Sequence, residues 1–138
     1  MNEMKYQKDG IEVVLEKGYT DGYHWVIVSY GTHPCAYVGL PKGHKFYREH
    51  YNNIPIRTHG GLTFSDNELK VNEPEIKVWW IGWDYSHAGD YIGYLLLLPN
   101  HIPYGEEKKW TTNEIKEDVF SVITQLKGYE KKWWQFWK

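Results

Sequence analysis

Apolar and polar positions along the N-terminal part of the chain alternate and cluster in the manner of β-strands. A β-branched run at residues 11–15 predicts one strand, and a turn at residues 20–22 follows it. Residues 24–30 carry apolar side chains on both faces, which is typical of a central strand. A proline favours a turn over residues 31–34, after which residues 36–40 return as a strand. The pattern therefore predicts a β-hairpin from the second and third runs.

Strand patterns resume in the middle of the chain after a polar segment. We predict a short helical turn at residues 46–50 and an extended segment, entered through two glycines, at residues 58–65. Residues 75–83 have the strongest strand pattern of the chain, and residues 91–98 form a second apolar run. Between those two runs, residues 84–90 form a polar crossing that is too rich in acidic and histidine side chains for a routine turn.

The last third of the chain changes to a helical period. Thr111 and Glu114 have the spacing of a capping box, in which each side chain accepts a hydrogen bond from the other residue's backbone amide. Gly128 is the expected C-cap. One face of the helix between them is apolar and consists of Ile115, Val119, Val122, Ile123 and Leu126. Since a sheet is the only partner large enough for that face, the predicted fold class is α+β: a mainly antiparallel sheet with one long C-terminal amphipathic helix packed on it.

Composition indicates one domain and excludes several classes of protein. The 138 residues, 41% of them hydrophobic, can bury a core, which we place at about residues 11–128 of a single domain spanning 1–138. There is neither an apolar run long enough to span a bilayer nor the apolar stretch of a signal peptide. The single cysteine, Cys35, excludes an internal disulfide and fits a reducing compartment. A net charge of −2 argues against nucleic acid as a partner.

Aromatic residues make up 17% of the chain, more than a core of this size needs. We therefore expect some of them to line a groove or an interface. A basic, aromatic tail at residues 129–138 contains three lysines and four aromatic side chains over residues 131–138. Docking onto the sheet edge or onto another protein is the predicted role of this tail, with a membrane-surface contact and stacking on single-stranded nucleic acid as alternatives.

The first candidate for chemistry is a histidine followed by two glycines. Paired glycines allow the backbone to come close to a ligand or to adopt positive φ. The backbone amides of Gly60 and Gly61 would then face an anionic ligand, and His59 would act as acid, base or metal ligand. Thr63 and Ser65 add hydroxyls to the predicted ligand-binding set. The alternative is a bulge or tight turn with a surface histidine.

The second candidate is the spacing Asp84-x-x-His87-x-x-Asp90. Carboxylate, imidazole and carboxylate form a ligand set that suits a divalent metal ion of unknown identity. Without a metal, an aspartate-oriented histidine would serve as general base. Trp83 and Tyr85 would offer flat surfaces to a base or sugar. The alternative is structural, with Asp84 capping a turn and Asp90 bonding local amides.

His33, Cys35 and His44 do not have the paired spacing of a zinc site. Nothing near Cys35 in the sequence marks an activating base, so a nucleophilic role is not expected either. We expect Cys35 to be a small buried residue at the start of a strand.

Three blocks together resemble a family of small proteins encoded in phage and prophage genomes of bacteria. The blocks are residues 35–44, residues 59–65, and residues 80–84 with 87–90, and the likeness spans about residues 30–126 with its terminal helix. The resemblance implies a phage or mobile-element setting and hence the cytoplasm of a bacterial host. It implies no catalytic role for any residue.

Two hypotheses of function remain open. In the first, His59, Asp84, His87 and Asp90 converge at one end of the sheet and form a pocket that binds a small ligand or metal, as in a hydrolase acting on a nucleotide-like substrate. In the second, the protein is a non-catalytic inhibitor that binds a host protein, such as a factor of bacterial immunity, through its aromatic surface.

Overall fold

The computed structural model describes residues 4–7, 10–30, 33–71, 76–86 and 110–130. Within these ranges the chain forms a sheet, a short 3-10 helix at Tyr51–Asn53 and one α-helix. The elements are β1 (Met4–Gln7), β2 (Gly10–Thr20), β3 (Tyr23–Ser29), β4 (Pro34–Leu40), β5 (Phe64–Asp66), β6 (Trp79–Asp84) and α1 (Thr112–Lys127). The predicted α+β class is thus confirmed. The predicted strand at residues 91–98 and the tail residues 131–138 lie outside the described ranges.

All neighbouring strands of the sheet are antiparallel, in the order β1-β2-β3-β4-β6-β5. The predicted hairpin is confirmed as β3 paired with β4, from His24 opposite Gly39 to Ser29 opposite Pro34. At the β2–β3 turn, Asp21 and Gly22 have φ values of 52° and 95°. Positive φ at both positions gives the backbone twist that joins two strands tightly. β6 lies between β4 and the short edge strand β5, so residues far apart in the chain meet there.

The sheet is apolar on both faces, and α1 covers one of them. We call this the helix face; its core contains Ile27, Val38, Ile81 and Trp83 together with the buried stripe of α1. The opposite face carries a second cluster that includes Val26, Val28, Cys35, Tyr37 and Trp80, which Val71 and Val78 cover from the segment before β6. Since successive side chains of a strand point to opposite faces, these two clusters alternate along β3, β4 and β6.

The helix forms as its sequence predicts. Glu114 N–H donates to Thr111 Oγ1 at 3.2 Å, and Thr111 N–H donates to Glu114 Oε1 at 3.1 Å, which completes the capping box. All five residues of the predicted apolar stripe are buried, and Gly128 is the C-cap. Two ion pairs tie α1 to the sheet: Lys116 Nζ to Glu16 Oε2 at 2.7 Å and Lys127 Nζ to Asp21 Oδ2 at 3.0 Å.

His44 closes the C-terminal end of α1. Its side chain is buried, and its Nδ1 accepts a hydrogen bond from Phe46 N–H at 3.1 Å. Nε2 must therefore carry the ring proton, and it lies 2.9 Å from the carbonyl oxygen of Leu126, to which it donates. The neutral imidazole thus bonds one of the last carbonyls of the helix, which have no partner within the helix itself.

Three predicted element boundaries are wrong. Residues 46–48 lie in turns and residues 49–50 are irregular, so the predicted helical turn is displaced along the chain. A 3-10 helix begins at Tyr51, where His50 Nδ1 accepts from Asn52 N–H at 3.1 Å and caps it. The segment at 58–65 is largely irregular and becomes a strand at Phe64, because two glycines at positive φ form a turn before it. β6 begins at Trp79, later than predicted, and includes Asp84. Within the described ranges, no helix is long and apolar enough to cross a membrane.

Candidate functional site

The opposite face of the sheet carries a groove of about 970 Å³. Tyr37 and Val78 from the opposite-face cluster form its floor, and segments before and after β5 form its walls. We call this site the cationic groove. Its described lining consists of Tyr30, Tyr37, Lys42, Tyr47, Arg48, Phe64, Asp66, Asn67, Glu68, Leu69, Lys70, Ile76, Lys77 and Val78. The volume is at the upper end of the range for small-molecule sites.

In its described part, this groove carries a net charge opposite in sign to that of the whole chain. Four cationic side chains line it, those of Lys42, Arg48, Lys70 and Lys77, against two carboxylates, Asp66 and Glu68. The described lining is therefore net positive by two charges, whereas the whole chain has a formal charge of −2. Cations gathered in a concave site raise the local concentration of anions and favour their binding.

Arg48 is held in an unusual backbone conformation at the groove. Its φ is 69°, in the left-handed region that a side chain with a Cβ rarely adopts. Two consecutive turns hold it there. In the first, Tyr47 N–H donates to His44 O at 3.0 Å, and in the second, which contains Arg48, Glu49 N–H donates to Phe46 O at 3.0 Å. Strain of this kind costs of order 1 kcal/mol and persists where the surrounding structure over-determines it, often at binding sites.

Tyrosine hydroxyls add hydrogen-bonding groups to the groove. The hydroxyls of Tyr30 and Tyr37 lie 2.7 Å apart, and the ring of Phe64 packs edge-on against Tyr37 with centroids 5.3 Å apart. Burial, with the neighbouring Cys35 and Tyr30, raises the pKa of Tyr37 far above its ordinary range. The hydroxyl of Tyr37 therefore stays neutral and serves as a hydrogen-bond donor and acceptor.

Cys35 lies on the same face at the start of β4, buried as predicted. Burial and the nearby Asp84 carboxylate raise the pKa of its thiol to about 12. Since the thiolate is the reactive form, this cysteine is a structural residue of the core.

The histidine–glycine block of the sequence forms a tight turn. Gly60 and Gly61 have φ values of 67° and 83°, and Gly61 N–H donates to Thr58 O at 3.0 Å. The expectation that both amides face an anion is therefore wrong for Gly61, because its N–H closes the turn. Ser65 also has a structural partner, since its Oγ accepts from Tyr51 N–H at 3.0 Å.

Asp84 ends β6 and organises the residues around it. Its Oδ1 accepts from Ser86 N–H at 3.2 Å and from Ser86 Oγ at 2.7 Å. Its Oδ2 accepts from Thr63 Oγ1 at 3.2 Å. The bonds to Ser86 are those of an aspartate that caps a turn, which is the structural role the sequence leaves open for Asp84.

Trp83 and Tyr85 belong to a buried polar network on the helix face. They are 1% and 0% exposed, so neither offers a surface on which a ligand could stack, and the sequence expectation is wrong in this respect. Trp83 Nε1 donates to the hydroxyl of Tyr85 at 3.0 Å, and that hydroxyl donates to Asp118 Oδ2 on α1 at 2.6 Å. The ring of His59 stacks on Tyr85 with centroids 4.7 Å apart and meets Trp110 edge-on at 4.8 Å.

His59 and Asp84 lie at the same end of β6 but on different faces of the sheet. His59 contacts Tyr85, a member of the helix-face core. Asp84 alternates with Trp83 and Tyr85 along the strand and is the register partner of Cys35, which belongs to the opposite-face cluster. This arrangement does not favour one cavity shared by both side chains.

Two members of the second sequence block, His87 and Asp90, lie outside the described residues. Within the part of the chain that is described, no group of three His, Cys, Asp or Glu side chains lies close enough to hold a metal ion. Two hypotheses therefore stay predictions. One is that Asp84, His87 and Asp90 bind a metal ion, and the other is that these residues and His59 are catalytic.

The comparisons with known proteins returned no match: no protein-family model, no curated protein and no solved structure is significantly similar to this chain. The resemblance to phage-encoded proteins likewise stays a prediction.

Sequence reasoning missed the cationic groove because its cations are scattered along the chain. Lys42, Arg48, Lys70 and Lys77 share no motif, and each alone has the pattern of an ordinary solvated residue. The excess of aromatic residues was the one signal that pointed to it, since three tyrosines and a phenylalanine line the groove.

Proposed function

We propose that this protein binds a small anionic molecule in the cationic groove. The observation that supports the proposal is the gathering of four cations in one concave site of a chain whose overall charge is negative. Phosphate and carboxylate groups are the anions that lysine and arginine side chains recognise best.

The shape of the site favours a small molecule over a flat protein surface. A volume of about 970 Å³ with mixed apolar and polar lining is typical of a site for a ligand of nucleotide size. The rings of Tyr47 and Phe64 offer apolar contact, and the paired hydroxyls of Tyr30 and Tyr37 offer hydrogen bonds. The site therefore suits an anion that also carries a ring.

The test compares adenosine monophosphate with adenosine by isothermal titration calorimetry at low salt. The two probes share base and sugar and differ in the phosphate, so the groove should bind the nucleotide at least about tenfold more tightly. Changing Arg48 and Lys77 together to glutamine should remove most of that preference. Raising the salt concentration should weaken the nucleotide complex, because charge interactions at an exposed groove are screened.

Lys45→Gln is the matched control. Lys45 lies in the same loop as Arg48, but its Nζ lies over the rings of Phe46 and Tyr129, at 5.8 and 5.6 Å from their centroids, and it does not line the groove. Its replacement should leave the affinity unchanged. Equal affinity for the two probes, or an equal loss in the control variant, would contradict the proposal, as would no binding of the nucleotide, pyrophosphate or citrate below about 1 mM.

The hydrolase hypothesis remains a separate proposal. It is supported by the sequence spacing of Asp84, His87 and Asp90. Elemental mass spectrometry on protein purified without chelator tests it: near-stoichiometric metal that is lost in His87→Ala would support it. Protein that takes up no metal from added zinc or manganese would count against it.

Two further proposals rest on the sequence alone. The setting in a bacterial host rests on the three sequence blocks, and inhibition of a host protein rests on the excess of aromatic residues. Capture of one defined host protein, lost when Trp133, Trp134 and Trp137 are changed to alanine, would support the inhibitor hypothesis. Capture that survives those changes would count against the tail as the contact.

A further inference from the structure

The cationic groove has two chemically different ends along the strands that form its floor. At the first end, Tyr37 of β4 and Phe64 of β5 are both register partners of Gly82 in β6, so one row across three strands brings them together. Because Gly82 has no side chain, the ring of Tyr37 lies over it and meets the half-buried ring of Phe64 edge-on. Together with Tyr30, whose hydroxyl lies 2.7 Å from that of Tyr37, these rings form what we call the aromatic end.

Three cations of the groove are placed towards the other end, where Leu40 of β4 pairs with Trp79 of β6. Lys42 follows Leu40 by two residues, and Lys77 precedes Trp79 by two residues. Arg48 is tied to the same place, because the indole of Trp79 donates to the carbonyl oxygen of the residue after Arg48 at 2.8 Å. We call this the cationic end; three separate segments of the chain each supply one of its cations.

Carboxylates of the protein do not neutralise this end. In the part of the chain that the structure describes, Lys42, Arg48 and Lys77 form no ion pair. Of the two carboxylates in the described lining, Asp66 instead accepts a hydrogen bond from the backbone N–H of Glu68 at 3.2 Å. Like charges gathered in one concave site repel one another, and an anion that carries several charges offsets that repulsion.

The strand register gives the separation of the two ends. The aromatic row lies at Gly82 and the cationic end begins at Trp79, three residues away, which is about 10 Å along an antiparallel strand. A ligand that places a ring at one end and its charge at the other must therefore be elongated. In a nucleoside monophosphate the phosphate is joined directly to the sugar, whereas the terminal phosphate of a diphosphate lies one phosphate unit further from the base. The spacing favours the longer molecule.

We propose that the cationic groove binds a nucleoside diphosphate, with its base at the aromatic end and its terminal phosphate at the cationic end. The proposal rests on the proposed function, anion binding in the groove, and adds the length, charge and orientation of the ligand. The hydroxyls of Tyr30 and Tyr37 supply hydrogen bonds to the base. Lys42, Arg48 and Lys77 donate charge-assisted hydrogen bonds to the phosphates.

The first test adds adenosine diphosphate and pyrophosphate to the calorimetric series at low salt, without magnesium. Adenosine diphosphate should bind about tenfold more tightly than adenosine monophosphate, because its second phosphate adds charge-assisted hydrogen bonds at the cationic end. Lys42→Gln should reduce that ratio to about threefold, since it removes one of the three cations. Lys45→Gln is the control, because Lys45 does not line the groove and its replacement should leave the ratio unchanged.

The second test concerns the orientation of the ligand. Phe64→Leu keeps an apolar side chain but removes a ring from the aromatic end, so the affinity for adenosine diphosphate should fall about fivefold. Pyrophosphate has no ring and should bind this variant as tightly as wild type. Tyr19→Leu removes an exposed ring outside the groove and should change neither affinity. In the wild-type complex, nuclear Overhauser effects should connect adenine protons with the ring protons of Phe64, a result that does not depend on the folding of a variant.

The possible results separate this proposal from the proposed function. Equal affinities for the diphosphate and the monophosphate would overturn it and leave anion binding standing, since a short ligand beside Tyr47 would then satisfy the groove. Equal losses for pyrophosphate and adenosine diphosphate in Phe64→Leu, or no Overhauser contact between adenine and Phe64, would overturn the orientation. Adenosine diphosphate that does not bind below about 1 mM would overturn the proposal whatever the monophosphate does. Failure of the proposed function itself is distinct: the monophosphate would bind no more tightly than adenosine.

Discussion

Replacing Tyr85 with phenylalanine tests the assignment of the buried network on the helix face as structural. The change removes one hydroxyl and keeps the ring that stacks on His59. It leaves Trp83 Nε1, buried at 1% exposure, without its acceptor, and it takes away the donor that Asp118 Oδ2 accepts from at 2.6 Å. Asp118 is half-buried, so water replaces part of its lost bond.

The magnitude follows from these two losses. A buried donor left unpaired costs about 1–3 kcal/mol, and a hydrogen bond to a charged group contributes about 1.5–3 kcal/mol. Allowing for rehydration of Asp118, we expect Tyr85→Phe to lower the free energy of unfolding by about 3 kcal/mol. For a domain of this size, that corresponds to a fall in melting temperature of roughly 10 °C.

Urea unfolding followed by tryptophan fluorescence measures the change in the free energy of unfolding. If that free energy depends on urea concentration with the same slope in both proteins, the variant unfolds between the same two states as wild type. Tyr19→Phe is the control, because Tyr19 is 64% exposed and its replacement should cost less than about 0.5 kcal/mol. The losses of stability caused by Asp118→Asn and by Tyr85→Phe should not add up in the double variant, because both substitutions act on the same hydrogen bond. A Tyr85→Phe protein within about 0.5 kcal/mol of wild type would refute the reasoning.

Three further predictions concern the opposite face. Gly82→Ala places a methyl group against the ring of Tyr37 and 3.0 Å from Ala36 O, so it should lower the unfolding free energy by about 2 kcal/mol in urea titrations; an unchanged value would contradict this packing. Arg48→Gly relieves the positive φ and should leave stability equal or raise it by about 0.5 kcal/mol, while nucleotide affinity in calorimetry falls; a destabilised variant would contradict the strain argument. The raised pKa of Cys35, about 12 against 9.0, means that the folded chain keeps a proton that the unfolded chain loses. Stability from this group is present below about pH 9 and is lost as the pH rises towards 12, and unfolding titrations should show a weaker loss in Cys35→Ala. An identical pH dependence in that variant would contradict the assignment.

The predictions that succeeded depend on interactions within a few residues. The capping box of Thr111 and Glu114 and the apolar stripe of α1 are legible in sequence because helical contacts recur at spacings of three and four. The burial of Cys35 and the pairing of β3 with β4 follow from a short connection between two apolar runs.

The candidate sites depend on contacts that the sequence does not display. Asp84 and Tyr85 are adjacent in the chain, yet the alternation along β6 sends their side chains to opposite faces, so a compact sequence block became two separate environments. The reverse holds for Arg48 and Lys77, which come together because β6 pairs between β4 and β5.

By itself, then, the sequence determined the fold class, the helix with both of its caps, and the residues that this helix buries. Tertiary structure decided which cations share the groove and which tyrosine hydroxyls pair there. The physical reason is range: caps and helical faces are set by neighbours within one or two turns, whereas strand order and register are set by packing over the whole chain.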